Sequence, residues 1–439
     1  MRVSRLGFLV SATLLQVTST AQAQIDIDAA PISYSSELAD NPIVKLQAAL
    51  DAGKKKLVRD KRFGYLPSVL AALSVPVETQ SLVFSKTSFQ ARLISPDNAR
   101  AVYFGDDIYV GWVPGSDVIE VAAVDHQKGT LFYTLEQREA VPRFERRDHE
   151  CLQCHASALT RGIPGHIVRS VHADNEGFPI MRHGSTRVEH STPVEKRWGG
   201  WYVTGEVGKN QHLGNLVFDP ERPPETFAGA PVISRLTPGN YPAATSDIVA
   251  LMVLEHQLTV HNLIASASFA ARQALHHDGV MRELLEEKSN GLMESTARRI
   301  DSAVTPLVDA LLLVDEAPIA FPIKGATPSP FEKAFGAKAS RDNKGRSLRD
   351  LDLQRRLFRY PLSFLIKSEA FAKLPEAART RALTLIGNVL QGRNPDRKYA
   401  HLDAPRRQAI LEILRETWRE MPANWRTVTP AAAAGSILQ

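Results

Sequence analysis

Both cysteines of the 439-residue chain sit in one short stretch, DHECLQCHASALTRGIPGH (residues 148–166). Cys151 and Cys154 are three apart, and His155 follows the second. On a helical turn, positions i, i+3 and i+4 share a face. Two thiols so placed can form thioethers with the two vinyl groups of a haem, and the adjacent imidazole can ligate the iron. The spacing predicts one covalently attached haem c, held by Cys151 and Cys154, with His155 as the proximal iron ligand. Three other readings share part of the pattern. A thioredoxin-like redox pair uses Cys-x-x-Cys on a strand-to-helix turn within a βαβ pattern, which the flanks do not show. A zinc site needs a fourth ligand and usually a second cysteine pair. The third is a chance occurrence. A structural disulfide fits poorly, because closing so short a loop stabilises almost nothing.

The first residues speak to location. Arg2 and Arg5 precede an apolar run from Leu6 to Leu15, and Ala21-Gln22-Ala23 follows a short polar stretch. That is a positive n-region, an h-region and a small-x-small cleavage site, so residues 1–23 read as a signal peptide. The expectation is a periplasmic or otherwise exported protein with no transmembrane span. Hydrophobic residues at 44% and charged residues at 23% suit a packed globular chain. The net charge of +5 includes the two signal arginines, and no lysine-rich block argues for nucleic acid.

The CLQCH segment resembles the haem site of c-type cytochromes. More widely, VYFGDDIYVGWV, CLQCHAS, GIPGHIVRS, RWGGWYVTG and RLFRYPLSFLI resemble segments of an uncharacterised group of exported bacterial monohaem proteins. The resemblance implies a single haem c and carries no established activity. Well over a hundred residues separate the signal from Cys151, unlike a small cytochrome c, and a second motif of the dihaem peroxidase kind is missing.

The elements that must position these residues follow from periodicity. Residues 42–52 and 66–73 read as short helices within an N-terminal segment, 24–79. From about 80 the period becomes two. SLVFSKTSF, ARAVYF, DIYVGWV, VIEVAAV and TLFYTL, separated by turn residues, predict an antiparallel meander leading into the motif. GHIVRSVH, FPIMRHG, GGWYVTGEV and NLVFD predict further strands beyond it. The β-rich haem-binding unit is therefore placed at 80–218, and proline-rich 219–245 is read as a linker or long loop. A helical unit spans 246–425, with helices from Thr245 or Ser246 to just before Gly279, and at 292–314, 347–359, 361–372, 376–391 and 405–420. Residues 426–439 form a flexible tail. The fold class is α+β.

The side of the iron opposite His155 decides the chemistry. Met181, in FPIMRHG, is the candidate distal ligand nearest in sequence; packing in the core is the usual role of a methionine. His166, His172, His183, His190 and His212 are further histidines near the motif. The long helix carries Glu255, Thr259, Asn262 and Ser266 along one face. These need partners, either from neighbouring loops or as a distal wall with Glu255 or His256 as proton carrier. Arg169, Arg182, Arg187 and Arg197 are candidates for pairing haem propionates, and Trp198, Trp201 and Tyr202 for walls or core. The leading expectation is electron transfer between periplasmic redox partner proteins. The alternatives are a haem-dependent oxidoreductase, peroxidase- or oxygenase-like, and a haem-based sensor.

Overall fold

The computed structural model describes residues 26–36, 39–222, 229–287, 291–323 and 329–426. Residues 1–23, read above as a signal peptide, and 427–439 of the expected tail lie outside them. Two helices open the described chain, α1 (Pro42–Asp51) and α2 (Leu66–Ala72). Asn41 caps the first, its side chain accepting from Ile43 N and Val44 N.

Six strands follow: β1 (Ser81–Val83), β2 (Arg100–Phe104), β3 (Ile108–Trp112), β4 (Val118–Asp125), β5 (Gly129–Glu136) and β6 (Phe144–Arg146). They pair antiparallel in chain order, the meander expected from the alternation. Strand pairing assigns side chains to faces. Ala101, Tyr103, Val110, Trp112, Val121 and Tyr133 point to one core, which α1 and α2 complete through Ile43, Leu46, Leu66 and Val69. Val102, Phe104, Tyr109, Ala122 and Phe132 share the opposite face. The SLVFSKTSF run contributes only three strand residues, and its Phe89 is exposed.

The short helix α3 (His149–His155) leaves β6 and carries the cysteine motif. The strands expected beyond it shrink to two small ribbons. β7 (Arg169–Val171) pairs with β8 (Ser185–Arg187), and β9 (Leu216–Val217) with β10 (Ala230–Pro231). Residues Met181–His183 form a 3-10 turn instead. The GGWYVTG run touches β1 through a single bridge, Val83 to Trp201. Gly200 takes φ +81° there, and a Cβ on it would lie 2.6 Å from the Ser85 side chain, so the chain turns against β1 rather than extending beside it.

Within 219–245, Val232 and Tyr241 are buried, and Tyr241 Oη donates to Ala99 O at 3.0 Å. Gln80 Nε2 donates to the carbonyls of Ala243 and Thr245. The second part of this stretch thus runs against the sheet.

Then comes α4 (Ile248–Leu284), capped by Asp247. It passes through Gly279 because a lone helical glycine costs only about 1 kcal/mol. Asp278 pairs with Arg282 across that position at 2.5 Å. By length and composition α4 could cross a membrane, but 89% of its apolar stretch is buried inside the protein. Packed on it are α5 (Glu294–Leu311), α6 (Pro330–Ala337), α7 (Glu369–Ala372) and α8 (Glu376–Leu390), while α9 (Ala404–Thr417) packs on α8 and α10 (Ala423–Arg426) on α9. Residues 347–359 are not helical. Asp350 accepts from Ser347 N and Asp352 from Gln354 N, local turns that compete with helix formation. Pro361 starts no helix either; a 3-10 segment begins at Phe364 and α7 follows.

The result is α+β: an antiparallel sheet in the N-terminal half and helices in the C-terminal half. The long helix α4 serves both cores. Ala265 and Phe269 join the sheet core, while Leu251, Leu254 and Val260 join the helical one.

Candidate functional site

The motif forms the helix its spacing predicts. Cys151, Cys154 and His155 lie on α3, and both thiols are free, Cys151 partly buried and Cys154 exposed. His155 is fixed by the loop that returns beneath it. Its Nδ1 donates to Gly165 O at 2.8 Å, and Gly165 N donates back to His155 O at 2.9 Å. A carbonyl can only accept, so the proton is on Nδ1 and Nε2 keeps its lone pair. Among the described residues nothing bonds that Nε2. The ring packs on Phe132, 4.7 Å between centroids. Burial lowers the His155 pKa, which keeps the imidazole neutral and able to ligate.

The returning loop is itself clamped. Asn262 of α4 accepts from His166 N at 2.8 Å and donates to His166 O at 2.7 Å. A Cβ on Gly165 would lie 2.5 Å from Asn262 Oδ1, so the close approach needs glycine. Pro164 O accepts from Thr130 N, and Thr130 Oγ1 meets His166 Nε2 at 3.1 Å. Sheet, loop and α4 together therefore hold the imidazole.

The residues fit a covalent haem by their chemistry. Two thiols one turn apart stand beside an oriented imidazole whose free nitrogen is the usual haem-iron donor. The adjacent sheet face offers Val102, Ala122 and Phe132, with Gly111 between them. Arg100 lies over Gly111 and pairs with Glu120. The Nε atoms of Arg100 and Arg169 are buried without partners, which suits a second anionic group such as a propionate. Burial pushes the Cys151 thiol up to about 11, Glu120 and Glu150 adding to the effect. A redox-active Cys-x-x-Cys needs a lowered thiol pKa, so this environment disfavours the thioredoxin-like reading.

The remaining sequence candidates are dispersed. Met181 stands 74% exposed at the 3-10 turn, outside the core. Glu255 and His256 are both fully buried and already engaged. Glu255 takes hydrogen bonds from Arg197 (2.9 Å) and Trp198 Nε1 (2.6 Å), and His256 Nε2 meets Ser363 Oγ at 2.8 Å. Thr259 bonds back to Glu255 O. The polar face of α4 is thus satisfied largely by neighbouring loops, and Asn262 is its member that reaches the motif. Of the arginines, Arg197 is consumed by Glu255, Arg187 pairs with Glu189, and Arg182 is exposed. Trp198 is buried core, edge-on to His212 with ring centroids 5.3 Å apart. Trp201 Nε1 donates to Arg169 O. His172 and His183 pair near the surface, and His190 faces His256.

Sequence reasoning missed a third group. Tyr109 lies on the motif face of the sheet, its ring 4.3 Å from that of His166. Tyr109 Oη is 2.8 Å from His261 Nδ1, and Gln257 Nε2 donates to the same oxygen at 2.8 Å. Asp107, in the turn just before β3, lies 3.7 Å from His261 Nε2. The alternation of Asp107 and Tyr109 was visible in sequence; their partner on a distant helix was not.

No family model, curated protein or solved structure matches the chain.

Proposed function

We propose that the chain is an exported monohaem c-type protein that transfers electrons. Cys151 and Cys154 would hold the haem covalently and His155 would ligate its iron. When bound, the haem supplies a one-electron redox centre. The chain's own residues orient the imidazole, exclude water from one side of it through Phe132, and offer Arg100 and Arg169 to its carboxylates.

The observation that carries the reading is the Nδ1 bond from His155 to Gly165 O, made beside two unpaired thiols. Such a bond on the second nitrogen fixes the tautomer and strengthens a ligating imidazole. Cleavage of a signal after Ala23 and periplasmic redox proteins as donor and acceptor belong to the same proposal.

The test is expression with c-type maturation machinery. Haem should stay with the denatured chain on a gel, and Cys151→Ala or Cys154→Ala should weaken that retention. His155→Ala should change the iron absorption spectrum. Complete loss of haem on denaturing the wild-type chain would refute the reading.

A further inference from the structure

Beside β3 lies a cleft of about 250 Å³, lined by Asp106, Asp107, Lys338, Arg349, Lys367 and Glu369 among others. At its wall the Asp107 side chain is 34% exposed, while that of His261 behind it is 1% exposed. Asp107 Oδ1 and His261 Nε2 are both buried and, among the described residues, make no hydrogen bond. They face each other at 3.7 Å, longer than a hydrogen bond.

The protons in this chain can be placed. Gln257 Nε2 also reaches the carbonyls of Gly105 and Asp106, which identifies it as the amide nitrogen. Tyr109 Oη therefore accepts from Gln257 and donates to His261 Nδ1. His261 must then carry its proton on Nε2, directed at Asp107. The three residues form a line from the cleft to the sheet face that packs against His155.

We propose that Asp107, positioned by His261 and Tyr109, takes up one proton from solvent in the cleft when one electron reaches the centre held by His155. This rests on the haem reading above. The electron comes from an external donor, the proton from water, and the bond formed is O–H on the carboxylate.

Geometry and charge support it together. Tyr109 and Phe132 are two strands apart, and Asp107 lies two residues before Tyr109, in the turn just outside β3. Strand spacings place Asp107 on the order of 12 Å from Phe132, with the His155 ring just beyond. A unit change of charge at that range, in an effective dielectric of about 20, alters proton affinity roughly tenfold. Asp107 is poised for such a change. Burial pushes its pKa up to about 6; Asp106 and Glu369 push the same way, and Lys338 and Arg349 oppose them. His261 is held down to about 4 by burial, and His166 and His256 lie well below their ordinary value, so none of the three competes near neutral pH.

The experiment is a midpoint-potential titration of the full-length haem-loaded protein from about pH 5 to pH 8. The midpoint should fall as pH rises through the region just above 6, because the reduced form holds the proton about tenfold more tightly. Asp107→Asn should flatten the profile. Tyr109→Phe, which removes one oxygen and frees the His261 tautomer, should move the profile to higher pH. A slope that survives Asp107→Asn, or that vanishes in Asp106→Asn or Glu369→Gln instead, overturns the assignment. An unmoved profile in Tyr109→Phe overturns the positioning role. If covalent haem is present and the midpoint is level with pH, the proposal fails and the haem reading stands; if no haem is attached, both fail.

Discussion

His155 and Gly165 exchange two hydrogen bonds, side chain to backbone at 2.8 Å and backbone to backbone at 2.9 Å. The pair orients the imidazole only while the Gly165 loop stays in place, and Asn262 pins that loop through both polar groups of His166. Asn262→Ala leaves a backbone N–H and a carbonyl without partners in a largely buried setting. Each such loss costs about 1–3 kcal/mol, so a fall of roughly 2–4 kcal/mol in unfolding free energy is expected from urea titration. A change under about 0.5 kcal/mol would show that the clamp is dispensable.

Arg197 and Glu255 meet at 2.9 Å with 3% and 0% of their side chains exposed. Burial pushes the Glu255 carboxyl up to about 7, against the pull of Arg197 and Trp198. Glu255→Gln strands the guanidinium charge in the interior, and a loss of about 3–5 kcal/mol is expected. Adding Arg197→Met should recover most of it, which a double-mutant cycle measures. Equal or greater loss in the double variant would mean that the pair itself is strongly stabilising.

Stability should peak near pH 6.5. Burial holds His190 and His261 near 4 and lowers His166 and His256 further. Free imidazole titrates at about 6.5, so between about 6.5 and 4.5 the unfolded chain binds more protons, and stability falls as pH falls. Glu255 and Glu316 at about 7 and Asp107 at about 6 act oppositely: the native state keeps their protons longer, and stability falls as pH rises towards 7. Histidines with lowered values outnumber carboxyls with raised ones, so the acid side should fall more steeply. Urea midpoints measured across this range test it; a steady rise through pH 7 would contradict it.

Trypsin should test one anchor in the stretch read as a linker, because Pro223 blocks cleavage after Arg222 and leaves the bond after Arg235 as its tryptic site. Arg235 is tied to Asp97 by two hydrogen bonds and to Asn175. Cleavage after Arg235 is expected to be slow in the wild type and faster in Asp97→Ala, read by mass spectrometry of a short digest. Equal rates in the two proteins would mean that the Asp97 anchor does not hold the segment.

Sequence pattern revealed elements wherever a local period had a matching local cap or turn. The meander, α1, α2, α5, α8 and α9 are of this kind. It failed where a local hydrogen bond or a distant partner decided the outcome. The leucines at 348, 353 and 357 read as helix, but Asp350 and Asp352 turn the chain instead. Ser329 and Pro330 were an available N-terminal signal for α6, capped by the Ser329 side chain, and it was passed over. For the candidate site, the spacing of Cys151, Cys154 and His155 was legible. The Gly165 acceptor, the Asn262 clamp and the Asp107–His261–Tyr109 line join residues far apart in the chain, which no periodicity encodes.

The span of α4 across both cores has a consequence for biogenesis. Strands and the cysteine helix leave the ribosome, and cross the membrane if the chain is exported, well before the helix that covers them. Until α4 arrives, Val102, Tyr109 and Ala122 have no lid, and Asn262 is not yet there to pin the His166 loop. On the proposed haem reading, the motif would then be at its most accessible to a maturation enzyme, and closure by α4 would follow, as a latch over a face that would already carry its group.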